Sequence, residues 1–371
     1  MARLFSSVLL LLTATGLYAN PKPGKERISC KDGEGNEVDW FVLYKLPKTR
    51  QVNSNFMPLK GHEMLYYDSR SRKGLWALLD GSIFGEENNP VARTLAPIYK
   101  KDEDVAYVAY NDQLPHEFNG TRGGHTKGIL MAGTKKKEGI AWLQHSVPRF
   151  VGAVKKGYKY PNNGLENGQL FFCISVPLNS VNVIATHLQV QAANVYQQYA
   201  PGWATSYKEF WAILNKQYMR RVPKDHLKVD FLPTNKKKLV MAIAKPPNYP
   251  KDIYTQELGR QMNDSITVQS WRNGAGGAQN EHCTPHYSVT DVTVIGVKTK
   301  KGYAVFSSRE DHSKWYVTRH KGVFCFSSLN RMLSQMKRGG EITCIIDISL
   351  AELFRKSIAQ RSTCNNEKAE K

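Results

Sequence analysis

Two copies of the pattern His-x-Lys lie in runs of β-forming residues, one in each half of this 371-residue chain. The first copy contains His125 and Lys127, and the second contains His312 and Lys314. Residues i and i+2 of a strand point to the same face of the sheet, so each motif would present an imidazole and an ammonium group together. A repeat of this kind favours a chain built from two similar lobes.

Two histidines and two lysines in one site suit the hydrolysis of a phosphodiester. The lysines would neutralise the phosphate charge, one histidine would attack phosphorus, and the other would protonate the leaving oxygen and then activate water. This scheme requires no metal ion or other cofactor. From the three-residue pattern alone, two surface histidines on basic strands remain an alternative interpretation.

The longer stretches around these motifs resemble deoxyribonuclease II. In order along the chain they are Gly124-His125-Thr126-Lys127-Gly128, Gln144-His145-Ser146-Val147-Pro148 and Glu310-Asp311-His312-Ser313-Lys314-Trp315. The resemblance extends from about Trp40 to Cys364. That family is similar to the phospholipase D superfamily. The resemblance therefore implies an α/β (α+β), phospholipase D-like fold with two pseudo-symmetric lobes, each a mixed β-sheet flanked by helices.

The same resemblance implies an acid endodeoxyribonuclease that cuts DNA without a divalent metal and leaves 3′-phosphate and 5′-hydroxyl ends. It implies catalytic roles for the four motif residues. His145 would support them, either by binding phosphate or by orienting His125 or Lys127; a strand-end histidine that caps a turn is the structural alternative. Unlike phospholipase D itself, the chain has no Asp after Lys127 or Lys314 at the superfamily's usual spacing. A supporting acid must come from elsewhere or be absent.

The net charge indicates a polyanionic partner. The chain has 52 Lys and Arg against 32 Asp and Glu, a formal charge of +20. Such a balance favours a polyanion as partner, bound through contacts that weaken as salt is added. The resemblance implies that this polyanion is double-stranded DNA, bound without sequence preference. A basic surface that is merely well solvated is the alternative.

The first 19 residues have the features of a secretory signal peptide: a charged start, an apolar run over residues 8–12 and small residues up to Ala19. The predicted location is therefore the lysosome or the outside of the cell, with no membrane anchor. We expect the first lobe, with the first motif, at residues 20–220 and the second lobe at residues 221–371. A basic, proline-containing stretch at residues 220–238 marks the expected boundary.

Six cysteines behind a signal peptide indicate three disulfides, whose pairing the spacing alone leaves open. The resemblance implies the pairs Cys30–Cys173, Cys283–Cys364 and Cys325–Cys344. A zinc site at His282, Cys283 and His286 is disfavoured because no second Cys or His pair lies close by in sequence. Asn119 and Asn263 begin glycosylation sequons, which predict two glycosylated surface loops, the first of them next to the site.

Periodicity predicts the secondary structure coarsely. Strands are expected at residues 38–46, 104–111, 126–133, 139–145, 169–176, 239–244, 266–271, 290–297, 303–307, 314–318 and 342–348. Helices are expected at residues 180–199, 206–219, 327–337 and 349–358.

Three other functions stay open at this point. The first is a metal-independent phosphodiesterase of the same fold that acts on RNA or phospholipid. The second is a metal-dependent secreted nuclease, although the sequence contains no convincing cluster of acidic ligands. The third is a non-catalytic, secreted DNA-binding or toxin-like protein with vestigial motifs. A homodimer is compatible with the sequence but is not indicated by it.

Overall fold

The computed structural model describes residues 27–50, 53, 55–72, 74–115, 121–274 and 276–364. The expected signal peptide and the first sequon, at Asn119, lie outside these residues. Across the described ranges, no helix is long and apolar enough to cross a membrane.

The described residues form twenty strands and six α-helices. The strands are β1 Cys30–Lys31, β2 Glu37–Val38, β3 Trp40–Lys45, β4 Met64–Asp68, β5 Ala77–Leu78, β6 Val105–Asn111, β7 Lys127–Gly133, β8 Gly139–His145, β9 Gln169–Val176, β10 Val195–Tyr199, β11 Lys228–Pro233, β12 Leu239–Lys245, β13 Ile266–Gln269, β14 His282–Cys283, β15 Ser288–Thr299, β16 Gly302–Ser307, β17 Trp315–Thr318, β18 Val323–Ser327, β19 Gly340–Ile346 and β20 Ile358–Arg361. The α-helices are α1 Pro90–Tyr99, α2 Val181–Val190, α3 Lys208–Leu214, α4 Gly259–Met262, α5 Leu333–Met336 and α6 Ile348–Lys356.

Two large sheets organise the chain into two lobes. The first has the strand order β10-β6-β7-β8-β9-β3-β4-β5, and all of its pairs are antiparallel. The second has the order β11-β12-β19-β18-β17-β13-β15-β14, and β16 and β20 also pair with β15. Its β13–β15 pair is parallel. The predicted two-lobed α+β fold is confirmed, although only the second sheet is mixed.

The two sheets repeat one arrangement. Five neighbouring strands of the first, β6-β7-β8-β9-β3, match β13-β17-β18-β19-β12 of the second in order, and every pair in both sets is antiparallel. Each His-x-Lys motif lies where the chain enters the second strand of the set, β7 or β17. The duplication therefore brings the two motifs to corresponding positions.

A shared hydrophobic core joins the lobes. It contains buried residues of both sheets and of α2, α3 and α6. Phe354 of α6 packs against Tyr44 of β3 and Phe324 of β18, with ring centroids 6.3 and 4.3 Å apart. Smaller cores cover the outer faces, one against α1 and one against the π-helical segment Ile253–Leu258. Because burial of apolar area is the main driving force of folding, this common core fixes one lobe against the other.

Two of the predicted helices are wrong over part of their length. The helix expected at 180–199 ends at Val190, and Val195–Tyr199 is a strand that pairs with β6. Ala192, with φ at 56°, adopts the left-handed conformation that ends helices. Of the helix expected at 327–337, Ser327 belongs to β18 and only Leu333–Met336 is α-helical.

The other two predicted helices are present but shorter, as α3 and α6. Helix α1 was missed because Pro97 lies within it; Asn89 caps it by accepting from the backbone N–H groups of Val91 and Ala92. Strand β11 was missed because it lies in the basic stretch that was expected to separate the lobes.

The disulfides of the structure are Cys30–Cys173, Cys283–Cys364 and Cys325–Cys344, the pairs that the resemblance implies. Each bridge stays within one lobe. The sulfur of Cys283 is bonded to that of Cys364, so it cannot ligate zinc as a thiolate. Asn263, the second sequon, is exposed at the end of α4, where a glycan can be attached.

Candidate active site

Both motif histidines lie in the segments that enter the strands, just before the strands predicted at residues 126–133 and 314–318. Strand β7 begins at Lys127 and β17 begins at Trp315. The backbone N–H of His125 donates to the carbonyl of Gly339 at 2.8 Å. In the same way, the N–H of His312 donates to the carbonyl of Gly168 at 2.8 Å. Each histidine backbone is therefore bound to the other lobe instead of its own sheet.

These two glycines allow the chains to approach closely. A Cβ atom on Gly339 would lie 2.2 Å from the carbonyl oxygen of Gln191. A Cβ atom on Gly168 would lie 2.5 Å from Oδ1 of Asp311. A side chain at Gly339 would force the two backbones apart, and one at Gly168 would displace the carboxylate of Asp311, so either would disturb the histidine that the carbonyl holds.

The imidazoles are also held across the lobes. Nδ1 of His125 lies 2.5 Å from the carbonyl oxygen of Ser328, and Nδ1 of His312 lies 3.0 Å from that of Ser146. A carbonyl oxygen only accepts, so this contact places the proton on Nδ1 of each ring. Nζ of Lys314 also lies 3.3 Å from Nδ1 of His312, farther away than the carbonyl oxygen of Ser146. In the neutral ring, Nε2 then has a free lone pair. Each histidine is thus oriented to act as a nucleophile or base through Nε2.

The four motif side chains form one electrostatic unit. Burial lowers the pKa of His125, and Lys127 and Lys314 lower it further. Burial likewise lowers the pKa of His312, followed by the charges of Lys314, Lys127 and His125. Burial and the charge of Lys127 lower the pKa of Lys314. Because each group acts on partners from the other lobe, the structure brings together all four residues that the sequence analysis nominated.

A buried carboxylate pairs with the first lysine. Oδ1 of Asp112 lies 2.5 Å from Nζ of Lys127, and its Oδ2 lies 2.9 Å from a guanidinium nitrogen of Arg338. Burial alone would raise the pKa of Asp112, but the charges of Lys127, His125 and Arg338 hold it below its usual value. Asp112 follows β6, the strand next to β7. A carboxylate from the residue after a neighbouring strand thus lies beside Lys127, although none occurs at the usual spacing in the sequence.

A second buried carboxylate, Asp311, precedes the other motif. It accepts from the hydroxyl of Tyr44 on the first lobe, and from the hydroxyl and backbone N–H of Ser313 at 2.6 and 3.0 Å. Burial raises the pKa of Asp311, opposed by these hydrogen bonds. Its charge in turn favours the protonated form of Lys314.

A family model described as Deoxyribonuclease II matches residues 29–364. The chain belongs to the deoxyribonuclease II family of nucleases.

Curated relatives match over most of their length. Deoxyribonuclease-2-beta of Homo sapiens is 30% identical over 378 residues, which cover 98% of this chain and 98% of the relative. Cell-death-related nuclease 7 of Caenorhabditis elegans is 30% identical, over 92% of this chain and 90% of the relative. Plancitoxin-1 of Acanthaster planci is 28% identical, over 97% of this chain and 99% of the relative.

His145 of this deoxyribonuclease II family member ends β8 and is 1% exposed. Its Nδ1 accepts from the backbone N–H of Val147 at 3.2 Å, and its ring packs against Phe150 with centroids 5.3 Å apart. Its Nε2 has no hydrogen-bond partner among the described residues. Burial lowers the pKa of His145, and Lys127 adds to this effect. The His145 side chain thus caps the turn, and its pKa is also lowered by the charge of Lys127.

Two further residues of the site carry no motif signal. The ring of Trp271 lies against His312, with centroids 5.2 Å apart, and the backbone N–H of Trp271 donates to Oδ1 of Asn330 at 3.1 Å. Trp271 was predicted only as the end of a strand. An aromatic residue next to a glycine-rich segment was the available signal.

The other is Glu341 of β19, which is 1% exposed and joins the second lobe to the first. Its Oε2 accepts from Tyr110 at 3.1 Å, Gln144 at 3.3 Å and Gln191 at 3.2 Å. Tyr110 and Gln144 lie opposite Gly128 on the strands that flank it, one residue beyond Lys127. Burial raises the pKa of Glu341 to about 7, so this carboxyl is protonated in acid.

Among the residues that the structure describes, no group of three or more His, Cys, Asp or Glu side chains is arranged to hold a metal ion. Lysine and arginine side chains supply positive charge at the site.

Proposed function

We propose that this protein is an acid endodeoxyribonuclease that hydrolyses DNA without a divalent metal and leaves 3′-phosphate and 5′-hydroxyl ends. One observation carries the proposal: Nδ1 of each motif histidine is bound by a carbonyl of the other lobe. This leaves two Nε2 atoms for chemistry beside two buried lysines.

In the proposed mechanism, Nε2 of one neutral histidine attacks phosphorus. The bond from phosphorus to the 5′ oxygen breaks, and the other histidine, which is protonated, donates its proton to that oxygen. The phosphoryl group is now bonded to the first histidine and to the 3′ oxygen of the upstream fragment. The second histidine, now neutral, takes a proton from water as the water attacks phosphorus. This step releases the 3′-phosphate and restores the first histidine.

Lys127 and Lys314 stabilise the negative charge on the non-bridging oxygens in both steps. We assign His145 a supporting role, in which its Nε2–H lies available to a phosphate or fixes the surroundings of Lys127. Either histidine can be the nucleophile or the acid in this scheme, because Nδ1 of each is held by a carbonyl of the other lobe.

The names of the relatives and the charge of the chain support DNA as the substrate. Deoxyribonuclease-2-beta is named for it, and the formal charge of +20 favours a polyanion. Three disulfides and the expected signal peptide support action in lysosomes or outside the cell. Breakdown of DNA from dying cells agrees with the name cell-death-related nuclease of one relative.

The test is cleavage of supercoiled plasmid at pH 5 in excess EDTA, with end-group analysis of the products. We expect nicking that leaves 3′-phosphates, and its loss in His125→Ala and in His312→Ala. DNA binding should persist in both variants because the lysines remain. His226→Ala is the matched control, since that side chain is 73% exposed.

Three results would contradict the proposal. Cleavage that needs added Mg²⁺ would indicate a metal-dependent nuclease. Faster hydrolysis of RNA or phospholipid than of DNA would indicate a related phosphodiesterase. DNA binding without any cleavage would indicate a protein whose motifs are vestigial.

A further inference from the structure

Four lysines are buried among the described residues: Lys45, Lys127, Lys245 and Lys314. Two of them belong to the motifs, and the proposed mechanism leaves Lys45 and Lys245 unused. A buried ammonium group is costly unless it is compensated by hydrogen bonds or charges, so both need an explanation.

Lys45 and Lys245 occupy corresponding places in the two sheets. Lys45 is the last residue of β3 and lies opposite Gln169 at the start of β9. Lys245 is the last residue of β12 and lies opposite Gly340 at the start of β19. These strands are among the five that match between the lobes.

In the first lobe, Lys45 binds the segment that leads to a site glycine. Its Nζ donates to the carbonyls of Leu165 at 2.9 Å and Asn167 at 2.5 Å. The next residue is Gly168, whose carbonyl accepts from the backbone N–H of His312 at 2.8 Å.

The second lobe repeats this arrangement. Nζ of Lys245 donates to the carbonyls of Met336 at 2.8 Å and Arg338 at 2.7 Å. The next residue is Gly339, whose carbonyl accepts from the backbone N–H of His125 at 2.8 Å. The same kind of contact thus holds two segments of unrelated sequence. The arrangement is therefore not a chance feature of a single loop.

We propose that Lys45 and Lys245 are positioning residues that act across the lobes. Each fixes the segment of its own lobe that presents a glycine carbonyl to the catalytic histidine of the other lobe. Lys45 therefore positions His312, and Lys245 positions His125.

An ammonium group suits this role because it has three donors and can bind several converging carbonyls at once. Burial lowers the pKa of Lys45 to about 7, opposed by Asp311, Glu63 and Glu166. Burial lowers the pKa of Lys245 to about 8, opposed by Asp252. Both side chains are therefore charged, with all three donors, at the acid pH of the proposed reaction.

The first arm of the test rests on the proposed function. The variants Lys45→Met and Lys245→Met keep the length of the side chain and remove its donors. In EDTA at pH 5, we expect kcat for a duplex oligonucleotide to fall about 10- to 100-fold with KM nearly unchanged, because displacement of a reacting group by about 1 Å costs up to about 100-fold in rate. Lys45→Arg and Lys245→Arg keep donors and should recover part of kcat.

His187→Gln is the control for loss of a buried polar contact. Nε2 of His187 lies 2.7 Å from Oδ2 of Asp230 and joins α2 to β11, and neither residue belongs to a glycine segment. This variant should lower the unfolding temperature and leave kcat unchanged. All variants are compared well below their own unfolding temperatures.

The second arm needs no activity and stays informative if the proposed function fails. The imidazole C–H resonances of His125 and His312 are followed by NMR in histidine-labelled protein as pH is varied. Lys45→Met should shift the resonance and titration of His312 more than those of His125, and Lys245→Met should do the reverse.

The proposal requires that each lysine substitution change mainly the resonance of the histidine that follows from its assigned role. Equal changes at both histidines, or none, in folded variants would overturn the proposal. So would a kcat that stays within about twofold of the wild-type value while the protein is folded, since misplacement should cost much more. If the Met variants do not fold, the Arg variants must show the same crossed shifts for the proposal to stand.

Discussion

Nδ1 of His312 lies 3.0 Å from the carbonyl oxygen of Ser146, a residue of the other lobe. The same contact joins His125 to Ser328 in the opposite direction. Each lobe therefore supplies one motif imidazole and the backbone acceptor that orients the other. Neither half of the chain contains a complete site.

Activity should fall as pH rises. Burial and the nearby lysines lower the pKa values of His125 and His312, so each ring loses its proton at a lower pH than free histidine, about 6.5. The reaction needs one protonated ring, and above its pKa that fraction falls about tenfold per pH unit. We expect kcat/KM to decrease between pH 5 and pH 8 at constant ionic strength. A flat profile up to pH 8 would exclude the two-histidine scheme.

The Asp112→Asn substitution should destabilise the protein and lower kcat. The carboxylate is 1% exposed and lies beside Lys127 and Arg338, so its removal leaves buried positive charge without compensation. Loss of one partner of a buried pair typically costs about 3–5 kcal/mol. Urea unfolding measures this change, and kcat measures the effect on Lys127. Glu352→Gln, at an exposed pair with Lys356, should leave both quantities unchanged. Equal effects of the two substitutions would contradict the assigned role of Asp112.

Glu341→Gln should make stability less dependent on pH. Burial raises the pKa of Glu341 to about 7 from an ordinary value of 4.5. The folded protein thus holds this proton more tightly than the unfolded chain, and the contribution to stability is lost as pH rises from 4.5 through 7. Glutamine does not ionise, so the variant should gain on the order of 2 kcal/mol relative to the wild type between pH 5 and pH 8. Urea unfolding at the two pH values tests this, and an identical change at both would refute it.

Trp271→Ala should lower kcat, because the indole ring packs against the ring of His312. An aromatic contact of this kind contributes about 0.5–1.5 kcal/mol, which corresponds to a rate loss of up to about tenfold. Trp271→Phe keeps a flat ring and should retain most of the rate. Steady-state kinetics in EDTA distinguish the two variants. If Ala and Phe have the same effect, ring packing is not what Trp271 contributes.

The sequence could nominate the motif residues because each His-x-Lys is local, and the long stretches around them resemble one family. It could also predict β8 and β9 with the observed bounds, since both are apolar runs bounded by glycine or proline. The helical spacing of apolar residues wrongly predicted a helix at residues 195–199. In the structure, Ala192 in the left-handed conformation follows α2, and these residues form a strand.

The residues that hold the motif side chains in place could not be predicted from local sequence patterns. Asp112 reaches Lys127 through the register of β6 and β7, in which Asn111 lies opposite Lys127. Ser146 and Ser328 act through backbone carbonyls, which carry no sequence signal. The corresponding positions of Lys45 and Lys245 become visible only when the two sheets are compared strand by strand.

The most direct test of the mechanism is the stereochemistry at phosphorus. A phosphorothioate linkage of known configuration is cleaved in ¹⁸O-labelled water, and the configuration of the product thiophosphate is determined. Attack by histidine followed by attack by water inverts phosphorus twice, so we expect overall retention. Inversion would show a single displacement by water and would contradict the phosphohistidine intermediate.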